Sequence, residues 1–400
     1  MSFDVQNIRS QFPSLASGVA HFDGPGGTQT PASVGQAMFD AITGPLANRG
    51  EVTDAERRAE ATVVNARQAM ADLLGTDPRG IVFGRSATQL CFDIARTLAQ
   101  HWGPGDEIVV SRIDHDSDVR PWVRYAEKSG ATLRWIEFDP STAHLDVADV
   151  EAVVNERTKL VAITAASNLL GSQPDIAAIS KIVHAAGALL YVDGVHNTAH
   201  AFVDVKAMGA DFYTCSPYKF FGPHIGVLSA EPALLESLHP DKLLPSTEIV
   251  PERFELGTLP YELLAGITAA VDFIANMVPS EGTRRERIAH SMHAAEEHEQ
   301  ALSHHLRTGL KNIAGVTVFS NAANKTPTEL FEIAGVDSQD AYKYFADNLV
   351  NAPAGNFYAI EASRHLGLGD EGAIRAGLAP YNTIEEIDRL LKCVAELASR

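Results

Sequence analysis

The stretch from residue 160 to residue 194, LVAITAASNLLGSQPDIAAISKIVHAAGALLYVDG, decides the fold. Two short apolar runs, Leu160–Ala165 and Leu189–Asp193, have the composition of strands that are covered on both faces. Between them, Asp175–Ala186 repeats apolar residues at helical spacing, on a stripe formed by Ile176, Ile179, Ile182 and Val183. A strand, a helix and a second strand in this order predict two parallel strands joined by a right-handed crossover.

The same alternation extends on both sides of this unit, from about residue 81 to residue 230. Five more runs are predicted to be strands: Ile81–Phe83, Glu107–Ser111, Leu133–Phe138, Phe212–Cys215 and Ile225–Leu228. We therefore expect an α/β protein with a mostly parallel, seven-stranded sheet between helices.

Helices are predicted before and after this block, at Asp54–Leu74 with Thr53 or Asp54 as its cap, at Glu262–Met277 and at Thr283–Leu310. The His- and Glu-rich surface of the last helix, including Glu299, is interpreted as a solvated face rather than a metal site. A smaller α+β unit follows. Its predicted elements are strands at Val316–Phe319, Glu329–Ile333 and Ala373–Leu378 and helices at Ser338–Asn348 and Thr383–Ser399.

The helical pattern breaks at Val278-Pro279-Ser280, where proline and serine interrupt it. We therefore divide the chain into an N-terminal segment (residues 1–20), a large α/β domain (residues 21–278) and a small C-terminal α+β domain (residues 279–400).

Composition excludes several classes of function. The 400 residues carry 32 basic and 51 acidic side chains, a net charge of −19. So acidic a surface repels phosphate backbones and anionic lipids, so we expect no nucleic-acid or membrane partner. The three cysteines lie far apart, which argues against a disulfide framework and a CxxC metal site. With no visible secretory leader and no run of 18 apolar residues, a cytoplasmic location is expected.

An acid and a lysine follow two of the predicted strands. Asp193 ends an apolar run just before a glycine, at the edge where open parallel sheets bind ligands, although a turn or capping aspartate has the same appearance. Lys219 follows Phe212–Cys215 among aromatic and small residues, which suits a lysine that forms a Schiff base. The alternative for this segment is an exposed loop lysine whose stem packs on Phe220.

Two further segments complete a pattern. Gly84–Gln89 follows a strand and opens a helix, so its backbone N–H groups and hydroxyls could hold an anion or simply cap the helix. His115 follows Glu107–Ser111 and could cover a planar ring, although a lone histidine is more often structural. An anion site, a ring cover, an acid and a Schiff-base lysine, in this order after successive strands, are what pyridoxal 5'-phosphate requires.

With these residues in place, the chain resembles the class V aminotransferase and cysteine desulfurase group of fold-type I pyridoxal-phosphate enzymes. The resemblance runs from Phe22-Asp23-Gly24-Pro25-Gly26-Gly27-Thr28 to the segment Ile374–Thr383. It implies three catalytic residues: Lys219 for the Schiff base, Asp193 for the pyridinium nitrogen and His115 for stacking on the ring. It further implies cofactor contacts from Ala87, Thr88, Asn168, His196, Ser216, Tyr218 and Thr258.

The resemblance also implies how substrate and subunits are arranged. Arg375 matches the arginine that binds the substrate α-carboxylate, and Asn168, Gly27 and Arg49 are further expected substrate contacts. Thr258 and Arg49 are expected to reach the neighbouring subunit's site, so a homodimer with shared active sites follows. The expected substrate is a small amino acid that reacts through a quinonoid intermediate. The residues leave open whether transamination, β-elimination or epimerisation follows.

One departure from the family bears on the reaction. The stretch Val350–Tyr358, before Arg375, contains no cysteine, whereas cysteine desulfurases need a mobile cysteine there. Cys91, Cys215 and Cys393 are interpreted as small core residues. A cysteine desulfurase or selenocysteine lyase is therefore disfavoured. A pyridoxal-phosphate sensor without catalysis is the remaining alternative, although no basic DNA-binding domain accompanies this acidic chain.

Overall fold

The computed structural model describes residues 3–400. Over that range the strands are β1 (Ala20–His21), β2 (Ile81–Gly84), β3 (Glu107–Ser111), β4 (Thr132–Ile136), β5 (Thr158–Thr164), β6 (Leu189–Asp193), β7 (Phe212–Cys215), β8 (Gly226–Ala230), β9 (Val316–Val318), β10 (Thr328–Ile333), β11 (Val350–Asn351), β12 (Ala354–Gly355) and β13 (Ala373–Gly377). The α-helices are α1 (Val5–Ser10), α2 (Ala32–Thr43), α3 (Asp54–Leu74), α4 (Ala87–Leu98), α5 (Arg120–Ser129), α6 (Val147–Glu151), α7 (Ile176–Ala185), α8 (Val205–Met208), α9 (Pro232–Ser237), α10 (Tyr261–Ala275), α11 (Arg284–Asn312), α12 (Ser338–Asp347), α13 (Ile360–His365) and α14 (Ile384–Ala398).

The seven predicted strands between residues 81 and 230 form one sheet, in the order β2-β8-β7-β6-β5-β3-β4. Strands β3 to β7 pair in parallel, and β8 runs antiparallel to both β2 and β7. The predicted mostly parallel, seven-stranded sheet is therefore confirmed. β8 extends two residues beyond its predicted end because Ser229 and Ala230 still pair with the neighbouring strands. A strand therefore ends where its backbone pairing with the neighbouring strands ends, and this can lie beyond the end of the apolar run in the sequence.

Helices cover both faces of this sheet, which explains the nearly continuous apolar strands. On one face, Val109 and Val161 pack in a core that includes side chains of α3, α7 and α10. On the other face, Ile108 and Val110 pack with side chains of α4 and α5. Helix α3 has the predicted bounds, and Thr53 caps it in a reciprocal capping box with Glu56. Among the described residues, no helix combines the length and the apolar composition needed to cross a membrane.

The C-terminal part contains a four-stranded antiparallel sheet, in the order β12-β13-β10-β9, packed with α11, α12 and α14. The N-terminal strand β1 joins this part by pairing in parallel with β11, and Ala20 and Phe22 lie in its core. Just beyond them, Asp23 forms an isolated parallel bridge with Gly377 at the end of β13. The chain thus contacts the C-terminal part at Ala20–Asp23, well before β2 begins the large sheet. The division at residue 278 stays a prediction.

Candidate active site

The predicted site residues follow β3, β5, β6 and β7 at one edge of the large sheet, because parallel strands bring their carboxyl ends together. A cavity of about 630 Å³ opens at this edge, lined among others by Asp23, Thr88, His115, Asn168, Lys219 and Arg375. A narrower cavity of about 80 Å³ adjoins it and is lined by Asp193, His196 and Ser216, together with Thr88, His115 and Lys219.

Lys219 lies at the centre of this arrangement. It ends a short turn after β7, its side chain is buried, and its amine donates a hydrogen bond to the carbonyl of Pro25. Burial and the charge of Arg375 lower the pKa of Lys219 to about 7, although Asp23 and Asp193 oppose them. The alternative of an exposed loop lysine is therefore wrong. A lysine in this state is partly neutral near pH 7 and can act as a nucleophile or a base.

Asp193 ends β6 in the floor of the narrow cavity. Its carboxylate accepts a hydrogen bond from the backbone N–H of Val195 at 2.8 Å. Burial raises the pKa of Asp193 to about 6, and the nearby charge of Lys219 moderates this rise. A buried carboxylate of this kind favours a cationic partner in the cavity.

His115 follows β3 and is half-buried between the large sheet and the loop before α13. Its Nδ1 accepts a hydrogen bond from the backbone N–H of Ser117 at 3.0 Å, which leaves Nε2 to carry the proton of the neutral ring. Burial, with the charges of Lys219 and Arg375, lowers the pKa of His115 to about 3. The ring stacks on Tyr358 with centroids 5.5 Å apart. It is therefore a neutral aromatic wall of the cavity.

The N-terminus of α4 forms a cradle with free backbone donors. Ser86 caps the helix, and Ala87 and Thr88 form its first turn facing the narrow cavity. Gly226 of β8 lies so close to the backbone of Ser86 and Ala87 that a side chain at residue 226 would collide with it. Ser216 lines the same space. Donors at a helix N-terminus, next to hydroxyl groups, bind phosphate well.

Two buried polar atoms in the walls of the narrow cavity, His196 Nδ1 and Asn168 Oδ1, have no partner within residues 3–400. The other ends of these side chains are fixed. His196 Nε2 contacts Thr326 and Thr328 at 2.8 and 3.1 Å, and Asn168 Nδ2 donates to the carbonyl of Phe357 at 2.9 Å. Buried polar atoms rarely lack partners, so a polar ligand is expected to satisfy them. The acid, cradle, lysine and unpartnered atoms together fit pyridoxal 5'-phosphate.

Arg375 lies in β13 and is almost fully buried. Its guanidinium lies 3.7 Å from the centroid of the Phe357 ring, and Nη1 donates to the carbonyl of Asn168 at 3.0 Å. Nη2 is paired at 2.6 Å with the carboxylate of Asp23, while Nε has no partner within the described residues. The cavity is thus lined by a guanidinium that already contacts an acid, and the role of Arg375 toward a substrate stays a prediction.

Sequence reasoning missed several residues of the site. Asp23 lies within the glycine-rich segment Phe22–Thr28, but no pattern in that segment predicts a role for it. Thr328 begins β10 of the small sheet, and Thr326 lies just before it. His200, whose ring contacts that of His196, pairs with Glu299 at 3.0 Å, and both are buried. The interpretation of Glu299 as part of a solvated face is therefore wrong.

Three predicted contacts do not line this chain's own substrate cavity. Thr258 faces a separate cavity of about 720 Å³ that also touches Ser86 and Tyr218. Arg49 is held by Glu60 at 2.7 Å and Glu252 at 3.0 Å. Gly26 lines the cavity in place of its neighbour Gly27. The roles of Thr258 and Arg49 toward a neighbouring subunit stay predictions.

The cysteines lie outside these cavities. Cys91, Cys215 and Cys393 are buried free thiols, and burial raises the pKa of each. The interpretation of all three as core residues agrees with their burial. The segment before Arg375 instead presents Phe357 and Tyr358, both in left-handed backbone conformation, to the cavity.

Comparison with known proteins gives a consistent result. The model of the family "Aminotransferase class-V" matches residues 20–390. The chain is 33% identical to the aminotransferase-like protein FGM3 of Gibberella zeae, over 98% of this chain and 97% of that protein. Its fold is similar to the cysteine desulfurase CsdA of Escherichia coli (TM-score 0.88, 26% identity, 100% of this chain and 99% of that one). It is equally similar to a cysteine desulfurase from Thermococcus onnurineus (TM-score 0.88, 27% identity, 98% of each chain). The chain therefore belongs to the class-V aminotransferase family and is a pyridoxal-phosphate-dependent enzyme with the fold-type I architecture, acting on an amino acid.

Proposed function

We propose that this protein is a cytoplasmic, homodimeric enzyme that carries pyridoxal 5'-phosphate on Lys219 and reacts at the α-carbon of a small amino acid. The observation that carries the proposal is the placement of the Lys219 amine, with its lowered pKa, in a cavity that also holds Asp193 and Arg375. The outcome for the substrate is transamination, β-elimination or epimerisation.

The arrangement of side chains around the narrow cavity supports an assignment of the residues that would hold the cofactor. The N-terminus of α4, at Ala87 and Thr88, with Ser216 and Tyr218 beside it, would take the phosphate. Asp193 would pair with the ring nitrogen, because a protonated ring supplies the positive charge that a buried carboxylate favours. His196 and Asn168 would satisfy their unpartnered atoms on the cofactor's polar groups. His115 would cover the ring.

The chemistry divides between the cofactor and the chain. Pyridoxal 5'-phosphate, when bound, supplies an electron-withdrawing ring that weakens the bonds at the substrate's α-carbon. Arg375 binds the substrate carboxylate and so orients the α-carbon within the cavity. Once the substrate's amine has taken its place on the cofactor, Lys219 would be a free amine whose lowered pKa leaves it neutral near pH 7, so that Nζ can accept the α-proton. Neutral His115 and the aromatic side chains Phe357 and Tyr358 limit access of water.

A thiol-dependent desulfuration is disfavoured, even though structural neighbours carry that name. A persulfide needs a reactive thiolate at the substrate. Here all three thiols are buried, their pKa values are raised, and none lines the cavity. The reaction proposed for the amino-acid substrate therefore does not transfer sulfur to a cysteine of this protein.

The dimer is supported by exposed apolar side chains near the predicted shared residues. Phe39, Ile42 and Leu46 on and after α2 are more than half exposed, and Leu244 is 98% exposed. Exposed apolar area on this scale marks an association surface. Leu256 is also exposed and lines the separate cavity that contains Thr258. A second copy that covers these side chains is consistent with Arg49 and Thr258 contacting a partner's site, as the family resemblance implies.

Borohydride trapping tests the assignment of the lysine. The purified holoenzyme is reduced, which fixes the cofactor to the amine that carries it, and the labelled peptide is located by mass spectrometry. We expect the label on Lys219 alone. Lys325 is an internal control, because it is also buried with a pKa lowered to about 8 but pairs with Glu329 away from the cavity. Label on another lysine, or a colourless enzyme, would refute the proposal.

A further inference from the structure

The turn at residues 23–27 contacts the two cationic side chains of the cavity, Arg375 and Lys219. The carboxylate of Asp23 pairs with Nη2 of Arg375 at 2.6 Å. Two residues later, the carbonyl of Pro25 accepts the hydrogen bond from Lys219. An amino-acid substrate presents a carboxylate to the first group and a nitrogen to the second. The turn therefore occupies the two anchoring points that such a substrate uses.

This placement of Asp23 is built into the fold. Its backbone bridges Gly377, two residues beyond Arg375 on the same strand. Gly26 lies directly against the Asp23 carboxylate, so that a side chain at residue 26 would collide with it. The backbone N–H groups of Gly26 and Gly27 close the turn on the Asp23 carbonyl at 2.9 and 3.0 Å. Asp23 is consequently held beside the guanidinium by its own backbone.

The surroundings of Arg375 leave little room for a second anion. Phe357 covers one face of the guanidinium, and the Asn168 carbonyl takes Nη1. Only Nε has no partner within residues 3–400, and its neighbour Nη2 is engaged by Asp23. A bidentate carboxylate needs two parallel N–H groups. An incoming carboxylate must therefore displace Asp23 to bind in this way.

We propose that Asp23 determines specificity by acting as an internal carboxylate that the substrate carboxylate replaces on Arg375. The inference rests on the proposed function of the cavity. A carboxylate without an amine forms a contact only with the guanidinium of Arg375. The free-energy cost of displacing Asp23 therefore weakens its binding. An amino acid also engages the Lys219 end of the cavity, which offsets the displacement. Asp23 thereby favours amino acids over carboxylates that lack an amine.

Acetate binding to the purified full-length protein tests this exchange, because acetate carries the carboxylate without the amine. Its dissociation constant is measured by isothermal calorimetry for the wild type and for Asp23→Asn. We expect the variant to bind acetate about tenfold more tightly, because a site no longer occupied by its own acid has a higher apparent affinity. Asp116→Asn is the matched control, since Asp116 lines the same cavity but pairs with Arg120 at 2.7 Å. Its acetate affinity should change less than twofold.

Unchanged or weaker acetate binding in Asp23→Asn would overturn the proposal, and so would an equal gain in Asp116→Asn, which would show a general charge effect. If the asparagine variant does not fold, Asp23→Ala gives the same comparison. Arg375→Ala should abolish acetate binding in either background. Calorimetry needs no covalent chemistry at Lys219. A failed trapping experiment with a tighter acetate site would therefore refute the proposed function alone.

Discussion

His200 Nδ1 lies 3.0 Å from the carboxylate of Glu299, and fewer than one twentieth of the surface of either side chain is exposed. This pair ties the segment after β6 to helix α11, directly behind His196. Since both groups are removed from water, each depends on the other for its hydrogen bonds.

Replacing Glu299 with alanine should lower the free energy of unfolding by about 3–5 kcal/mol, because His200 would remain buried without its partner. Glu299→Gln keeps a hydrogen-bond acceptor and should cost less. The exposed neighbour Glu297 is the control, and its alanine variant should stay within about 0.5 kcal/mol of the wild type. Urea unfolding measures all three. Equal stabilities for Glu299→Ala and Glu297→Ala would show that the buried pair contributes nothing.

Arg375→Ala should raise KM for the amino-acid substrate tenfold to roughly a hundredfold, the range expected when a charged hydrogen-bonding group of about 1.5–3 kcal/mol is lost. Steady-state kinetics with each accepted amino acid measure it. Arg364→Ala provides the comparison, because Arg364 pairs only with Asp370 on the surface, at 2.6 Å. A similar KM in both variants would mean that Arg375 does not bind the substrate.

Cofactor binding to the apoprotein should be faster at higher pH and level off above about pH 8. The reason is that Lys219 attacks as a neutral amine, and its pKa is lowered to about 7. Because the charge of Arg375 contributes to this lowering, Arg375→Ala should move the profile to higher pH. Stopped-flow absorbance between pH 6 and 9 follows the reaction. A profile that does not respond to the Arg375 substitution would contradict the electrostatic argument.

Asp118→Asn should stabilise the protein more at pH 8 than at pH 5. Burial and the neighbouring Asp114 raise the pKa of Asp118 in the folded state. The folded protein therefore holds a proton that the unfolded chain releases at lower pH, so stability is lost as pH rises above the unfolded value. Asparagine at residue 118 does not ionise, so the variant avoids this loss of stability at high pH. Its side-chain oxygen can still accept the 3.0 Å hydrogen bond from Trp122. Thermal unfolding at pH 5 and pH 8 checks the difference, with substitution of an exposed acid, Glu156→Gln, as the reference variant.

A variant with Cys91, Cys215 and Cys393 all replaced by alanine should retain turnover of its amino-acid substrate. The three thiols fill core space and do not reach the cavity, so their loss affects stability rather than chemistry. Product analysis for keto acid, ammonia, sulfide and the opposite enantiomer accompanies the measurement. A folded variant that loses sulfide release, while the wild type shows it, would restore the desulfurase hypothesis.

Sequence patterns predicted those site residues that come just after a strand in the chain. Asp193 and Lys219 stand at the ends of apolar runs, so the rule for parallel sheets places them at one edge. Asp23 could not be placed in the same way, because its position depends on pairing with a strand more than 350 residues later. No local pattern encodes such a partner.

Glu299 shows a different kind of error. Its neighbours Glu296 and Glu297 made the stretch look solvated. The buried residues of α11, however, follow one stripe through Met292, Ala295, Leu302 and Leu306, and residue 299 lies on it. Helical spacing therefore contained the signal. An acid on an apolar stripe indicates a buried partner, which here is His200.

The path of residues 3–27 has a consequence for proteolysis. Residues 16–18 are exposed, whereas Ala20 and Phe22 are buried in the core of the C-terminal part, immediately before Asp23 reaches the cavity. A protease that cuts at the exposed site leaves the anchored segment in place. A cut after residue 22, by contrast, would place a new chain end at Asp23, whose position beside Arg375 would then depend on its bridge to Gly377.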